Sequence, residues 1–468
     1  MLSNTTLGVL MSSIDTNIVL IALPTIGSQV SGMTTIDLLW ILLGYQLVVA
    51  SVLVNFGRLS DMFGRVRLYN LGFAIFTIGS GLCSIAQTPI ELIGFRLVQA
   101  TGSGFLFSNS AAIITDTFPV EERGMALGIN QISIVVGSVT GLIAGGFLTT
   151  LLGWRSIFWV NLPIGIFATI WAYMKLKELS SPSHIHKLDI AGNVTFAGGL
   201  VLLLLAVTLF AISGLAALYT SLLIAASALL FILFIFIERK RDDPMFDLSL
   251  FRNHEFTAGN ETIFLNALAR GSFILVMVFY LQGPIMHLNP LQAGILLVPL
   301  SVSLSIMGPI SGVLSDRFGP RFFVITGLLL SSVGFILMTR IAYGVSELQL
   351  LLPLILIGSG MGIFASPNRA SIMSSVPGYR RGLASGISTT LVNVGNTMSI
   401  GLAFLLMSAT TTRNNLDSIF SGLPSTGERF SASEFISSVH IVFFMSTAML
   451  LVSILLYLYG VRRISEKV

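Results

Sequence analysis

Cysteine is all but missing: Cys83 is the only one in 468 residues, which excludes a disulfide scaffold. Charge is nearly as scarce. Asp, Glu, Lys and Arg make up 10% of the chain, against about 25% in a soluble domain. A water-facing surface of this size cannot be covered with so little charge. The same scarcity excludes disorder, a coiled coil and a nucleic-acid module. Five histidines are scattered, and His184-x-His186 lacks the further ligands of a metal site. No metal, cofactor or enzymatic constellation is expected. What is present is apolar. Hydrophobic residues reach 54%, with 33 Phe and 45 Gly, and the mean hydropathy is +0.90. Gly is common in packed membrane helices. The fold class expected is an all-α polytopic membrane protein.

A helical span needs about 20 mostly apolar residues. Fourteen such runs are expected, near 5–28, 36–56, 68–87, 90–115, 125–151, 157–176, 188–211, 215–237, 256–282, 291–314, 322–341, 348–372, 383–408 and 436–460. The first lacks a basic start and carries Asp15, so it reads as a retained span rather than a signal peptide. Orientation follows from Lys and Arg. Eighteen fall on the side of the C-terminus and even-numbered loops, Lys187 and Lys467 among them. Four fall opposite: Arg155, Arg340, Arg413 and Arg429. Both termini are therefore expected in the cytoplasm, with 409–435 as the one long external loop.

The chain repeats itself. Gly57-Arg-Leu-Ser-Asp61-Met-Phe-Gly64 returns as Gly312-Val-Leu-Ser-Asp316-Arg-Phe-Gly319, at an offset of 255. Pro119, Arg123, Gly124, Ala126, Gly128 and Ile129 return as Pro377, Arg381, Gly382, Ala384, Gly386 and Ile387, at an offset of 258. Gly102, Gly104 and Gly137 map onto Gly360, Gly362 and Gly395 at that same offset. Collinear matches over both halves mean duplication of a six-helix unit. The spans within 188–237 have no counterpart. The plan expected is a six-helix bundle at 1–180, two inserted helices and a linker at 181–254, and a second bundle at 255–468. Equal spans per half make the repeats parallel, and carriers of that kind bind substrate near the midplane between the halves.

Charges inside the membrane are costly and usually functional, and Arg96, Arg270 and Arg369 are the basic residues left inside spans. Asp15 lies midway along the first span. It can exchange a proton as its surroundings change, or serve as a static ion pair. Arg96 is a fixed positive charge, competing with a proton for Asp15 or bonded to carbonyls near Gly102. Arg270 is the pseudo-symmetric mate of Asp15 at the 255 offset, with Asn266 on its face. It meets Asp15 across the cavity, awaits an anionic ligand, or is structural. Glu261, one apolar stretch nearer the cytoplasm, is a second protonation site or simply reaches water. Asn17, Tyr45, Gln46, Asn109, Asn130, Asn368 and Asn393 are polar groups within spans. Each is a cavity candidate, although interhelical hydrogen bonding also explains such residues. In the loop 57–67, Gly57 and Gly64 permit tight turns. Asp61 can cap the next helix or pair with Arg65 and Arg67, and Asp116 is a further partner. Gly-rich stretches at 101–104 and 358–362 lie inside spans with no preceding strand, so nucleotide loops are rejected.

These stretches together resemble the major facilitator superfamily, and most of all its fourteen-helix drug:proton antiporter branch, over nearly the whole chain. The loop from Gly57 to Arg67, the first-helix stretch Ile14-Asp15-Thr-Asn17-Ile-Val-Leu-Ile-Ala-Leu-Pro24 and the helix-four stretch Arg96-Leu-Val-Gln99-Ala-Thr-Gly102-Ser-Gly104 carry the resemblance. So do Gly137-x-x-x-Gly141-x-x-x-Gly145-Gly146 and Trp154-Arg155-Ser-Ile-Phe158-Trp-Val-Asn161-Leu-Pro163-Ile-Gly165. One position departs: Leu142 stands where the branch has Pro, so the usual break in helix five is absent. The resemblance implies proton transfer through Asp15 and Arg96. It also implies a latch at Gly57, Asp61, Gly64, Arg65, Arg67, Asp116 and the repeat copy Asp316 that shuts the cytoplasmic face in one state. The function expected is proton-coupled export of small hydrophobic compounds by alternating access. The alternative is a carrier for a specific organic anion or metabolite. A receptor on a transporter scaffold fits poorly with an intact latch and intramembrane charges. The expected setting is the cell membrane, as a monomer, with protons, a small molecule and lipid as partners and no nucleic acid.

Overall fold

A computed structural model describes residues 2–178, 189–213, 216–241, 244, 246–342, 344–377, 380–412, 415–416, 419–420 and 431–465. His184, His186, Lys187, Arg413, Arg429, Lys467 and much of the 409–435 segment lie outside them. The helices are α1 (Leu2–Gln29), α2 (Thr35–Phe63), α3 (Arg65–Ile85), α4 (Pro89–Thr117), α5 (Val120–Leu152), the short α6 (Ser156–Trp159) leading into α7 (Asn161–Lys175), α8 (Ile190–Thr208) and α9 (Ala217–Lys240). After these come α10 (His254–Arg270), α11 (Phe273–Gln282), α12 (Pro290–Phe318), α13 (Pro320–Met338), α14 (Glu347–Ser374), α15 (Arg381–Ser408) and α16 (Ala432–Ser465). Among the described residues there is no strand.

Thirteen spans among the described residues are long and apolar enough to cross a membrane, with α6–α7 and α10–α11 each forming one. The run missing from that set is α4, which is 29 residues long. Its buried face carries Arg96, Gln99 and Asn109, so neighbours rather than lipid satisfy it.

The duplication reaches the helix ends. Thr34 and Asp37 form a capping box at α2, and Asn289 and Gln292 form one at α12, 255 residues on. Thr88 and Glu91 cap α4, and Ser346 and Gln349 cap α14, 258 residues on. Such boxes satisfy orphan N–H groups reciprocally. Gly64 and Gly319 end α2 and α12 at φ +102° and +82°, a region that favours glycine. Gly57, by contrast, makes no turn: it sits inside α2, which runs on to Phe63. The apolar periodicity of α2 continues through the first half of the repeated stretch, and only Gly64 breaks it.

Contacts are dense within α1–α7 and again within α10–α16. The glycine stripe of α5 seats α1. A methyl at Gly137 would lie 2.7 Å from Ser13 Cβ, and one at Gly141 2.7 Å from the Ile14 carbonyl. Close backbone approach of this kind is what small residues permit. The two groups meet at α5–α12, α2–α15 and α1–α11. A methyl at Gly146 would lie 2.5 Å from the Pro290 carbonyl, and one at Gly294 2.4 Å from that of Leu142. Gln282 Nε2 donates to the Ile21 carbonyl at 2.9 Å. All these contacts lie toward the ends of the helices remote from the chain termini. Toward the terminus end, Gly57, Gly128, Gly308 and Gly382 on α2, α5, α12 and α15 have nothing within 4 Å of where a methyl would sit. The seams are packed at the far end and open at the terminus end.

α8 and α9 pair through Ser227, whose Oγ donates to the Gly199 carbonyl at 2.7 Å, and through Phe196, Phe231, Phe234 and Phe246. α8 lies on both groups. Near its start Asn193 donates to the Ser51 carbonyl of α2. Near its end Leu204 and Val207 touch Gly401 of α15. Asp189 caps α8 at Gly192 N and pairs with Arg241 at 3.3 Å.

Candidate functional site

Asp15 and Arg96 meet in the interior. Arg96 Nη1 lies 2.6 Å from Asp15 Oδ2, with side-chain exposures of 1% and 0%. Asp15 Oδ1 accepts from Gln99 Nε2 at 2.8 Å and from Asn161 Nδ2 at 3.0 Å. Arg96 Nη1 also donates to Gln99 Oε1 at 2.6 Å. Asn161 Nδ2 reaches Ser80 Oγ at 3.2 Å, and Ser80 Oγ donates to the Phe158 carbonyl at 3.0 Å. The guanidinium carbon sits 4.2 Å from the Tyr45 ring centroid. Five helices thus supply the site: α1 the carboxylate, α4 the cation and Gln99, α7 the amide, α3 the hydroxyl and α2 the Tyr45 ring. The glycine stripe of α5 permits it by letting α1 lie close.

A buried ion pair holds only when further hydrogen bonds satisfy it. The carboxylate meets that condition through three donors. Arg96 Nε has no hydrogen-bond partner among the described residues. Gln99, Asn161 and Ser80 were not singled out from sequence, although Gln99 and Asn161 stand inside stretches that carry the family resemblance.

Arg270 is not in this pair. It is half-buried, and no ion pair or hydrogen bond to it occurs among the described residues. The pairing of Asp15 with Arg270, one of the sequence alternatives, is absent from this structure because Arg96 occupies the carboxylate. Asn266 is buried one turn before Arg270.

The remaining polar candidates are mostly bonded to helices. Asn17 Nδ2 donates to the Ser13 carbonyl at 2.9 Å and to Ser138 Oγ at 3.2 Å. Gln46 Oε1 accepts from Thr397 Oγ1 at 3.4 Å, across α2 and α15. Asn109 Nδ2 reaches the Phe105 carbonyl of its own helix at 2.8 Å, and Asn130 Oδ1 accepts from Ser110 Oγ at 3.1 Å. Asn368 Nδ2 fastens α14 to the Gly259 carbonyl of α10 at 3.0 Å. Asn393 is half-buried, and its carbonyl accepts from Thr397 Oγ1 at 2.7 Å.

At the terminus end, Arg65 Nε lies 2.8 Å from Asp61 Oδ1 and Arg65 Nη1 2.7 Å from Asp116 Oδ1. Asp61 therefore pairs rather than caps. The cap on α3 comes from Glu178, which follows α7. Its carboxylate accepts from the backbone N–H groups of Arg65 at 3.0 Å, Val66 at 2.9 Å and Arg67 at 3.3 Å. A carboxylate at a helix N-terminus is favoured by the helix dipole. A methyl on Gly64 would stand 2.6 Å from Glu178 Oε2, so this position takes glycine for space as well as for φ. The expected pairing of Arg67 is not seen: its side chain is exposed and has no ion pair among the described residues. Asp316, the repeat copy of Asp61, is exposed and likewise has none. These bonds all stay within α1–α7 and the segment after it.

Comparison with known proteins adds the following. The family model described as Major Facilitator Superfamily matches residues 5–251 and 262–467. The riboflavin transporter RibZ of Clostridioides difficile is 32% identical over 402 residues, covering 85% of each chain. The multidrug resistance protein Stp of Mycobacterium tuberculosis is 31% identical over 402 residues, covering 86% of this chain and 74% of that one. Among solved structures, a bacterial homolog of the human lysosomal transporter Spinster superposes with a TM-score of 0.70 at 17% identity, over 98% of this chain and 96% of that one.

Proposed function

The chain belongs to the Major Facilitator Superfamily, and from that premise we propose that it exports small, fairly hydrophobic compounds in exchange for protons. The observation that carries this reading is the sealed Asp15–Arg96 pair. Arg96 cannot give up its proton in practice. Asp15 therefore has two competing partners, the guanidinium and a proton. In the state described here the guanidinium holds it and water does not reach it. A proton arriving at Asp15 removes the charge that Arg96 needs and loosens α1 from α4. Its departure restores the pair. That exchange links protonation to the spacing of helices around the cavity.

The Lys and Arg bias assigns the terminus end to the cytoplasm, so the state with open seams is the inward-open one. The six–two–six plan supplies two bundles that rock about a midplane site. The Asp61–Arg65–Asp116 cluster is the latch, and in this state its bonds remain inside the first bundle. The names of the relatives, a riboflavin transporter and a multidrug resistance protein, support a small organic cargo.

The test is a substrate panel in proteoliposomes, with and without an imposed pH gradient. Gradient-driven flux is expected for the wild type and is expected to vanish in Asp15→Asn, with binding retained. Unchanged pH-driven flux in that variant would overturn the reading.

A further inference from the structure

Asp15 and Arg270 are repeat mates at an offset of 255, yet their surroundings differ. The mates of Arg96 and Gln99, at an offset of 258, are Leu354 and Ile357. The second copy therefore keeps a midspan charge but has an apolar residue where the first has its counter-charge. Both Leu354 and Ile357 are fully buried. The backbone differs too. α1 runs unbroken through Asp15, whereas α10 ends at Arg270 and α11 begins at Phe273. In the interruption, Ser272 N–H turns to Ser399 Oγ at 2.9 Å, and Ser399 Oγ donates to Ser272 Oγ at 3.1 Å. Among the described residues no backbone carbonyl accepts from the N–H of Phe273 or Ile274.

A guanidinium inside a span is costly and cannot neutralise itself. No carboxylate of the chain, among the described residues, pairs with this one. Glu261, nine residues earlier on α10, is exposed and lies about half a turn round the helix. Arg369, five residues before the terminus-side end of α14, is half-buried and, among the described residues, bonded only to Thr389 Oγ1 at 3.3 Å. Among the described residues neither Arg270 nor Arg369 has a carboxylate partner, so an anion bound from outside would supply the counter-charge.

We infer that Arg270 is the subsite for an anionic group on the transported compound: a carboxylate or phosphate monoester on a largely apolar body. This rests on the transport reading above and names its substrate class. The planar guanidinium fork matches both groups bidentately. The helix loosens for two residues beside Arg270, near the middle of its span, and carriers commonly coordinate charged groups of a substrate beside such irregular backbone.

The test uses the full-length protein in phosphatidylcholine nanodiscs. Thermal protection is titrated with aryl carboxylates and aryl phosphates, against the matched neutral amides and cationic amines. The anions are expected to bind the wild type more tightly than their neutral matches. Arg270→Gln should lose about tenfold or more of anion affinity, the worth of a charged hydrogen bond, while amide binding stays within twofold. Arg270→Lys should recover part of the loss. Anions that bind no better than amides, or a glutamine variant that loses both alike, would overturn the subsite. So would protection that comes only from phosphatidylglycerol discs, which would make Arg270 a lipid contact. Loss of anion preference beside intact, Asp15-dependent flux overturns this inference alone. Absence of gradient-driven flux for every compound overturns the proton-coupled reading while the anion binding stands.

Discussion

Asp15 Oδ2 and Arg96 Nη1 stand 2.6 Å apart, and neither residue exceeds 1% exposure. The pair bridges α1 and α4 at the depth where the two bundles meet. In this state the carboxylate is sealed from water, so on the proposed reading its protonation is tied to movement of these helices.

The pair should show itself in stability. Asp15→Asn leaves Arg96 without its counter-charge, and Arg96→Gln does the reverse; breaking a buried pair from one side costs roughly 3–5 kcal/mol. The double variant is expected to unfold at a higher temperature than either single variant in detergent. A double variant as unstable as the two losses added would show that the residues do not compensate each other. Arg96→Lys should substitute poorly, because an ammonium lacks the planar guanidinium face that lies 4.2 Å from the Tyr45 ring centroid.

The Arg65 cluster makes an asymmetric prediction. Asp61→Asn should slow turnover, since it takes away one of the two carboxylates on Arg65. Asp316→Asn should do less, because Asp316 is exposed, has no ion pair among the described residues, and faces Pro320 where the first copy has Arg65. Initial rates of the two variants decide this, and a more damaging Asp316→Asn would reverse the argument.

Glu178 has not been tied to the latch by its position in the chain, and its substitution is informative. Glu178→Ala removes the acceptor for three backbone N–H groups of α3. Loss of a cap typically costs about 0.5–2 kcal/mol. Hydrogen exchange at Arg65–Arg67 should accelerate, with Glu178→Gln intermediate between alanine and wild type. No change in exchange would remove Glu178 from the cluster.

The far end of the α5–α12 seam is held by close backbone approach. Gly146→Val should prise it apart, because even a methyl there would lie 2.5 Å from the Pro290 carbonyl. Spin labels at Thr150→Cys and Gln292→Cys should then report a longer distance. The native Cys83 is buried and leaves the labelling clean. A folded variant with an unchanged distance would mean that the seam yields elsewhere.

Much of this was legible in sequence, for physical reasons. Apolar run length marks spans, and intramembrane charges are rare enough that Asp15 and Arg96 stand out. The neutral partners did not. Gln99, Asn161 and Ser80 look like any polar residue in a span until helix packing brings them to one carboxylate. Glu178 was hidden differently: on a loop, its charge is unremarkable, and only the fold brings it to the start of α3. Gly57 was read as a turn because glycine permits one, but α2 simply continues through it. α4 passes for a span by length while its polar inner face lowers its hydropathy. For Arg270 the offset named a mate of Asp15, yet the two residues do not share partners: Asp15 is paired with Arg96, and Arg270 has no ion pair among the described residues.

The crossing of α8 over the α2–α15 seam has a consequence for molecules that travel in the bilayer. Two seams separate the halves, and each would otherwise be a side door from lipid into the cavity. α8 touches α2 near one end and α15 near the other, with α9 behind it, so one of those doors is walled over. The α5–α12 seam has no such helix laid across it, and both of its helices carry exposed apolar side chains, Ile129 and Ile132 on α5 and Ile306 and Ile310 on α12 among them. On the proposed transport reading the two lateral faces offered to lipid are therefore unequal, whatever pseudo-symmetry the bundles keep.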